Sequence, residues 1–238
     1  MPRRRRRSCG ARRSAASELP PCPGGGSMHG MYRLLMRMAE SAAFFWTART
    51  LFLLWAKIVK RLRVTGQQHV PREGGCVVAV NHFSSLDPPM MGVSVPREIS
   101  FMAKKELFEP PALRLLVRGL RAFPVDREGN DVSAVKEALR RLKAGRPVGV
   151  FIQGTRNATD AAALDGASFL AQRAQVPLVP AGIWKDHGAY RVAFGAPFEV
   201  AGRDRTSIQN ATQRTVRDIN ALLPSHTQIL APLDEGVG

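Results

Sequence analysis

Short apolar runs alternate with segments of helical periodicity along most of this chain, and the alternation restricts its possible folds more than any other feature. Buried strands are predicted at residues 77–80, 147–152 and 178–183, because each is a short apolar run. Helices are predicted between them, including one at residues 161–175. This order is typical of an α/β domain with a mostly parallel or mixed sheet that is flanked by helices.

Capping residues delimit the clearest helix. Asp131 is a suitable N-cap and Gly145 a suitable C-cap. The apolar face predicted between them, at spacings of three and four residues, consists of Val132, Val135, Leu139 and Leu142. The remaining predicted elements are helices at 88–96, 110–119 and 206–223 and strands at 99–103, 121–125 and 190–194.

The chain is strongly basic, with a formal net charge of +16 over 238 residues. Residues 1–27 hold seven arginines and one glutamate, so a charge of +10 remains on residues 28–238. A basic folded body indicates an anionic partner, which can be a membrane surface, a phosphate-bearing substrate or a nucleic acid. Charge alone does not distinguish these three partners.

The first 30 residues are predicted to form a disordered tail, because they are rich in Arg, Pro and Gly. No apolar stretch follows the arginines, so the tail lacks the pattern of a secretory signal. Other interpretations stay open: the chain starts at Met28 or Met31 and the tail is an extension of the gene model, or the tail is a transit peptide or a tether to anionic lipid. The three cysteines form no disulfide framework.

Residues 31–63 are predicted to form one or two amphipathic helices that associate with a membrane. Their apolar runs are interrupted by arginines and lysines and are shorter than the 18 residues that an ordinary spanning helix needs. Large aromatic residues beside cations, such as Trp46 and Trp55, favour a helix that lies in the membrane interface. The alternative is an amphipathic helix packed on its own domain.

A histidine and an aspartate directly after the first predicted strand are candidates for catalysis. His82 lies five residues before Asp87 in the sequence Asn81-His-Phe-Ser-Ser-Leu-Asp-Pro88. The aspartate can accept the proton of one ring nitrogen, which leaves the other nitrogen to take a proton from a substrate hydroxyl. The alternative is structural, because an aspartate before two prolines is also suited to capping a helix.

Four segments in order strengthen the catalytic interpretation: residues 81–87, 123–127 (Phe-Pro-Val-Asp-Arg), 151–156 (Phe-Ile-Gln-Gly-Thr-Arg) and 176–183 (Val-Pro-Leu-Val-Pro-Ala-Gly-Ile). Together they resemble the glycerolipid acyltransferase family, whose bacterial members acylate 1-acylglycerol-3-phosphate. The basic segment 103–108 is also similar to a segment of that family. The resemblance covers about residues 65–200 and implies that residues 64–238 form an acyltransferase domain.

The resemblance also implies roles for individual residues. His82 would be the general base, and Asp87 would fix its tautomer and stabilise the imidazolium. Arginine forks suit phosphate, and backbone N–H groups beside a glycine suit an oxyanion. The residues predicted to bind substrate in these ways are Lys104, Arg127, Gln153, Gly154, Thr155 and Arg156. This mechanism requires no metal and no bound cofactor, since acyl-CoA or acyl carrier protein is a co-substrate.

The third segment departs from the family pattern, which commonly reads Phe-Pro-Glu-Gly-Thr-Arg. Here Ile152 and Gln153 replace the proline and the glutamate. Glutamine keeps a carbonyl that accepts hydrogen bonds, but it carries no negative charge. The change leaves the identity of the acyl acceptor open.

The function implied by the resemblance is transfer of a fatty acyl group to the 2-hydroxyl of 1-acylglycerol-3-phosphate, which gives phosphatidic acid. The enzyme would work at the cytoplasmic face of a membrane as a peripheral or monotopic protein, with an anionic membrane surface and lysophosphatidic acid as partners and no nucleic acid. Alternative acceptors are another lysophospholipid, glycerol-3-phosphate or a lyso-aminolipid. A different class of function is a non-catalytic module that binds anionic membranes or nucleic acid.

Overall fold

The computed structural model describes residues 41–125, 132–152 and 161–228. Within these ranges the strands are β1 (Arg63–Thr65), β2 (Val77–Val80), β3 (Ser100–Lys104), β4 (Phe123–Val125), β5 (Val148–Phe151), β6 (Leu178–Asp186) and β7 (Ala189–Phe194). The helices are α1 (Ala42–Ile58), α2 (Asp87–Ser94), α3 (Pro111–Gly119), α4 (Val132–Lys143), α5 (Ala161–Ala174) and α6 (Arg205–Leu222). Short 3₁₀ turns occupy Gln67–His69, Lys105–Phe108 and Ser225–Thr227.

The seven described strands form one sheet in the order β1-β7-β6-β2-β5-β3-β4. All neighbours are parallel except β6 and β7, which form an antiparallel hairpin. His187 and Gly188 make its turn with φ angles of 46° and 79°, a conformation that suits two-residue hairpin loops. The prediction of an α/β fold with a mostly parallel or mixed sheet is confirmed, and the carboxyl ends of β2 to β6 lie along one edge of the sheet.

Helices cover both faces of the sheet because the central strand is buried on both sides. All four residues of β2 are buried, and they alternate between two cores. Val78 and Val80 face the core shared with α1 and α2, whereas Val77 and Ala79 face the core shared with α4, α5 and α6. The result is a three-layer sandwich with its candidate site at one edge.

Two details of the sequence prediction are wrong. Strand β1 was not expected, because Arg63–Thr65 contains no apolar run. In the structure its residues alternate exposed and half-buried, and it forms by pairing with β7. Val132, expected on the apolar face of α4, is 60% exposed. That helix instead buries Ala134, Ala138 and Leu142, because small residues allow it to approach the sheet closely. Most other boundaries shift by one or two residues, as helix and strand ends commonly do.

Helix α1 lies in the predicted helical segment 31–63, which the structure describes from residue 41; the helix ends at Ile58, and the last residue of the segment, Arg63, belongs to β1 instead. Its inner face buries Phe45 and Ala56, while Leu51, Leu54 and Ile58 are 63%, 50% and 75% exposed. Arg49 links this helix to the end of α2, because its Nη2 donates hydrogen bonds to two backbone carbonyls there, at 3.1 and 2.6 Å. No helix in the three described ranges is both long and apolar enough to cross a membrane. The tail 1–30 and residues 31–40 lie outside the described residues, as does the predicted cap Asp131.

Candidate active site

His82 and Asp87 meet at the carboxyl end of β2, as their spacing predicted. His82 is the second residue after β2, and Asp87 is the first residue of α2. The distance between His82 Nδ1 and Asp87 Oδ2 is 2.7 Å. The aspartate is fully buried and the histidine side chain is 10% exposed. The pair therefore sits at the boundary between the core and the surface.

The Asp87 carboxylate organises the loop that carries His82. Its Oδ2 also accepts hydrogen bonds from the backbone N–H groups of Phe83 and Ser84, each at 2.7 Å. The N-cap of α2 is Leu86, and no side chain caps this helix end. The structural alternative, in which Asp87 serves as an N-cap, is therefore wrong. The carboxylate accepts hydrogen bonds from the preceding loop and contacts the imidazole, and it does not cap the N–H groups of the helix that follows.

Aromatic residues from two neighbouring strands support the imidazole. The His82 ring packs on Phe151 at the end of β5, with centroids 4.4 Å apart. Phe151 in turn stacks on Phe101 of β3 at 5.5 Å. Gly149 makes this packing possible, because a Cβ there would collide with the Phe101 ring. Sequence reasoning did not predict this support, since Phe101 and Phe151 look like ordinary core residues in their strands.

A lysine and two aromatic rings lie beside the same loop and were also missed. The Phe83 and Tyr190 rings stack with centroids 5.8 Å apart. Lys185 Nζ lies 5.7 Å from the Phe83 centroid and 5.1 Å from the Tyr190 centroid, a cation–π arrangement. The signal for Lys185 was weak, because it follows the fourth family-like segment by two residues. Its ammonium group adds positive charge at the edge of the sheet that carries His82.

Among the residues predicted to bind substrate, Lys104 is the one that lies within the ranges that the structure describes. It ends β3 at the same edge as His82, its side chain is 50% exposed, and its Nζ lies 3.6 Å from Glu106 Oε2. The others lie outside the described residues: Arg127, Gln153, Gly154, Thr155 and Arg156. Their roles remain predictions. Strands β4 and β5 end at this same edge, two residues before Arg127 and Gln153 respectively.

The arrangement is suited to proton transfer. When Nδ1–H donates to a carboxylate, Nε2 is the nitrogen that can accept a proton from a substrate. A second pair, His187 and Asp186, has the same 2.7 Å distance, but its histidine side chain is 95% exposed. It lacks the buried carboxylate and the aromatic support. Across the described ranges, no group of three or more His, Cys, Asp or Glu residues is placed to hold a metal ion.

The fold and the site together define a class of protein. It is an α/β sandwich in which a histidine, held by a buried aspartate at the carboxyl edge of the sheet, can act as a general base. Residues 61–184, just over half of the chain, match the family model described as Acyltransferase. The chain therefore belongs to this acyltransferase family. The matched range contains His82 and Asp87 and ends within β6.

Curated relatives carry a more specific description. A 1-acyl-sn-glycerol-3-phosphate acyltransferase of Bacillus subtilis is 38% identical over 121 residues, which cover 50% of this chain and 61% of the relative. The human protein described as 1-acyl-sn-glycerol-3-phosphate acyltransferase alpha is 34% identical over 125 residues, which cover 50% of this chain and 44% of the relative. The chain thus spans less than two thirds of the length of these relatives.

A solved structure shares the fold. The crystal structure of the 1-acyl-sn-glycerophosphate acyltransferase from Thermotoga maritima aligns with a TM-score of 0.56 at 21% sequence identity, and the alignment covers 83% of each chain. This likeness supports the architecture of the sandwich across most of its length.

Proposed function

We propose that this protein transfers a fatty acyl group from a thioester of coenzyme A or acyl carrier protein to the 2-hydroxyl of 1-acylglycerol-3-phosphate, which gives phosphatidic acid. The observation that carries the proposal is the 2.7 Å contact between His82 and the buried Asp87 in a member of the acyltransferase family. The descriptions of the relatives point to the same acceptor.

The reaction needs one general base and no covalent enzyme intermediate. His82 Nε2 takes the proton of the acceptor hydroxyl while its oxygen attacks the thioester carbonyl. The tetrahedral intermediate then collapses, the C–S bond breaks, and the imidazolium returns the proton to the leaving thiolate. Asp87 holds the tautomer before the transfer and stabilises the imidazolium during it. Such a base contributes roughly 10²–10⁴-fold to the rate.

Cations and backbone donors complete the proposed site. Arg127 and Arg156 bind the phosphate of the acceptor, with Lys104 as a third cation. Backbone N–H groups at Gly154 and Thr155 stabilise the oxyanion. The support for these roles is the resemblance of their segments to the family and, for Lys104, its place at the carboxyl edge of β3. Lys185 supplies further positive charge beside the His82 loop.

Helix α1 is proposed to rest on the membrane that supplies the lysolipid. Leu51, Leu54 and Ile58 form an exposed apolar stripe, and lysines and arginines follow at its carboxyl end. Apolar side chains that enter the acyl boundary beside cations that contact lipid phosphates bind an anionic surface without spanning it. The proposed location is the cytoplasmic face, with peripheral or monotopic attachment.

Gln153 favours a second candidate acceptor. A neutral side chain replaces the glutamate common in the family, so another lysophospholipid, glycerol-3-phosphate or a lyso-aminolipid could take the acyl group by the same chemistry. Comparing acceptors with and without the phosphate, in the wild-type protein and in Gln153→Glu, separates these possibilities.

The function is tested by one assay. The purified protein in vesicles receives an acyl thioester and 1-acylglycerol-3-phosphate, and release of free thiol is measured together with formation of phosphatidic acid. Thiol release that requires both the acceptor and His82 is expected. Thiol release that is unchanged in His82→Ala would contradict the mechanism. A non-catalytic membrane or nucleic-acid module would release no thiol at all.

A further inference from the structure

One cation near His82 lies on a strand that the proposed acceptor site does not use. Strands β5, β3 and β4 lie on one side of β2 in the sheet, and β6, β7 and β1 lie on the other. Of the cations proposed for the acceptor phosphate, Lys104 is on β3, and Arg127 and Arg156 follow β4 and β5 in sequence. Lys185 is on β6, next to β2 on the other side.

The side chain of Lys185 leaves the sheet on the same face as that of His82. Ala181 and Ile183, at alternate positions of β6, face the core shared with α1 and α2. Because side chains alternate along a strand, Lys185 points to this face too. The His82 ring packs on Phe151, which belongs to the same core. The ammonium group and the imidazole therefore share one face at the carboxyl edge of the sheet.

Two aromatic rings hold the Lys185 ammonium group beside the His82 loop. Its Nζ lies 5.1 Å from the ring centroid of the buried Tyr190 and 5.7 Å from that of Phe83, the residue after His82. These contacts restrict the side chain, while the exposed ammonium group keeps N–H groups that can donate to a ligand.

Lys185 forms no ion pair with a carboxylate of the described residues. The adjacent Asp186 points to the other face of the strand, where it contacts His187 Nδ1 at 2.7 Å and Arg191 Nη2 at 3.5 Å. An exposed ammonium group that is held in place without a carboxylate is suited to bind an anion.

The proposed reaction brings two phosphates to this edge of the sheet, one on each substrate. The acceptor carries its phosphate on the glycerol. Both proposed donors carry one at the far end of the pantetheine arm, because coenzyme A and acyl carrier protein share the 4′-phosphopantetheine group. The hydroxyl and the thioester must approach within roughly 3–3.5 Å, whereas the two phosphates repel each other. Cations on opposite sides of β2 satisfy both requirements.

The pantetheine arm is long enough to join the two points. Val80 of β2 pairs with Ala181 of β6, so Lys185 lies one strand away from His82 and two residues further along. Their Cα atoms are therefore on the order of 10 Å apart. The arm between sulfur and phosphorus has about the length of five extended residues, roughly 16 Å. A donor can thus place its thioester at His82 and its phosphate at Lys185 with the arm bent.

We propose that Lys185 binds the phosphate of the 4′-phosphopantetheine group of the acyl donor. The donor then approaches His82 from the β6 side of the sheet, and the acceptor approaches from the β5 side. The proposal rests on the acyl transfer proposed above. It assigns donor recognition to a residue outside the four segments that resemble the family.

Two donors that differ only in this phosphate provide the test. Acyl-4′-phosphopantetheine and acyl-pantetheine are compared with a short-chain, water-soluble 1-acylglycerol-3-phosphate as the acceptor. Lys185→Gln should raise KM for acyl-4′-phosphopantetheine about tenfold and leave KM for acyl-pantetheine and for the acceptor within twofold. Lys185→Arg, which keeps the charge, should recover most of the loss.

The matched control is Lys143→Gln, which removes the same charge from an exposed lysine at the end of α4, on the other face of the sheet. It should change neither donor KM. Equal loss with both donors in Lys185→Gln, or no loss with either, overturns the proposal. So does a loss confined to the acceptor, or weaker binding to anionic vesicles with donor KM unchanged, because Lys185 would then contact a lipid phosphate instead.

Binding without turnover separates this proposal from the proposed function. Calorimetry measures binding of 4′-phosphopantetheine to the wild-type protein and to Lys185→Gln, with pantetheine for comparison. If the wild-type protein releases no thiol yet binds 4′-phosphopantetheine through Lys185, the proposed function fails while the site stands. If thiol release requires His82 but Lys185→Gln binds 4′-phosphopantetheine as the wild type does, the site fails while the function stands.

Discussion

The side chain of Asn81 pairs with the backbone of Ile183 as if it were one more residue of a strand. Asn81 Nδ2 donates to the Ile183 carbonyl and the Ile183 N–H donates to Asn81 Oδ1, both at 2.8 Å. Asn81 is buried and directly precedes His82. The amide therefore continues the pairing of β2 with β6 past the end of β2 and fixes the backbone from which the imidazole projects.

Replacing Asn81 with alanine should lower both stability and turnover. The buried N–H and C=O of Ile183 would lose their partners, at a cost of roughly 2–4 kcal/mol. The freed loop would let His82 drift, so kcat should fall more than KM rises. The control is Thr212→Val, which removes a buried 3.0 Å hydrogen bond to Ser168 in the opposite helix layer. It should lower stability in thermal unfolding without changing kcat; an Asn81→Ala variant with wild-type kcat would contradict the positioning role.

His82→Ala should reduce kcat by roughly 10²–10⁴-fold while the unfolding transition stays close to that of the wild type. The matched control is His187→Ala, because His187 contacts Asp186 at the same distance as the candidate pair but is exposed. His187→Ala should keep kcat within twofold in the thiol-release assay. If both variants behaved alike, the buried pair would have no special role.

The layout of the candidate site could be predicted from sequence because it depends on local order along the chain. Val77–Val80 is a short apolar run, and the carboxyl end of a strand in a parallel sheet is where ligand sites collect. His82 and Asp87 are five residues apart, so one loop brings them together. The order of strands and helices was sufficient for the fold class, since each element carries its own periodicity.

What sequence could not supply was packing between distant segments. Phe83 and Tyr190 are 107 residues apart, and their rings stack because β6 alone lies between β2 and β7 in the sheet. The support of His82 by Phe151 depends on the pairing of β2 with β5. Strand β1 forms only because β7 offers an unpaired edge. Each of these features depends on strand order, which local patterns do not encode.

Cys76 should make the protein less stable in alkali. Burial raises the pKa of its thiol from 9.0 to about 11, with Arg97 opposing the shift. Between these pH values the unfolded chain releases the thiol proton and the folded protein retains it, so stability present below pH 9 is lost as the pH rises toward 11. Urea unfolding from pH 8 to 11 should show a decline that is shallower in Cys76→Ala by up to about 2 kcal/mol. Parallel declines would contradict this prediction.

Lys104→Gln should weaken binding of the acceptor. The lysine side chain is 50% exposed, so solvent screens its charge, and the contribution expected of it in the proposed phosphate site is moderate. We expect KM for 1-acylglycerol-3-phosphate to rise roughly three- to tenfold with little change in kcat. The control is Lys136→Gln, an exposed lysine on α4 at the opposite face of the sheet. An equal effect on an acceptor without phosphate would show that Lys104 acts in another way.

The exposed stripe of α1 should determine membrane binding. In Leu51→Glu combined with Ile58→Glu, two apolar side chains would no longer enter the lipid. Each is worth roughly 1–2 kcal/mol, so binding to vesicles of phosphatidylglycerol and phosphatidylcholine should weaken about 30-fold or more. Both positions are exposed, so the fold should be retained.

The matched control for the stripe is Val132→Glu combined with Phe169→Glu. These residues are also exposed, but they lie on α4 and α5, at the other face of the sheet. The control carries the same change in charge and should bind vesicles nearly as well as the wild type, because the proposed membrane contact is made by α1 on the opposite face. Equal weakening in both double variants would mean that net charge, and not the apolar stripe, holds the protein to lipid. Sedimentation with vesicles at two salt concentrations distinguishes the two cases, because salt screens the charges and leaves the apolar contribution in place.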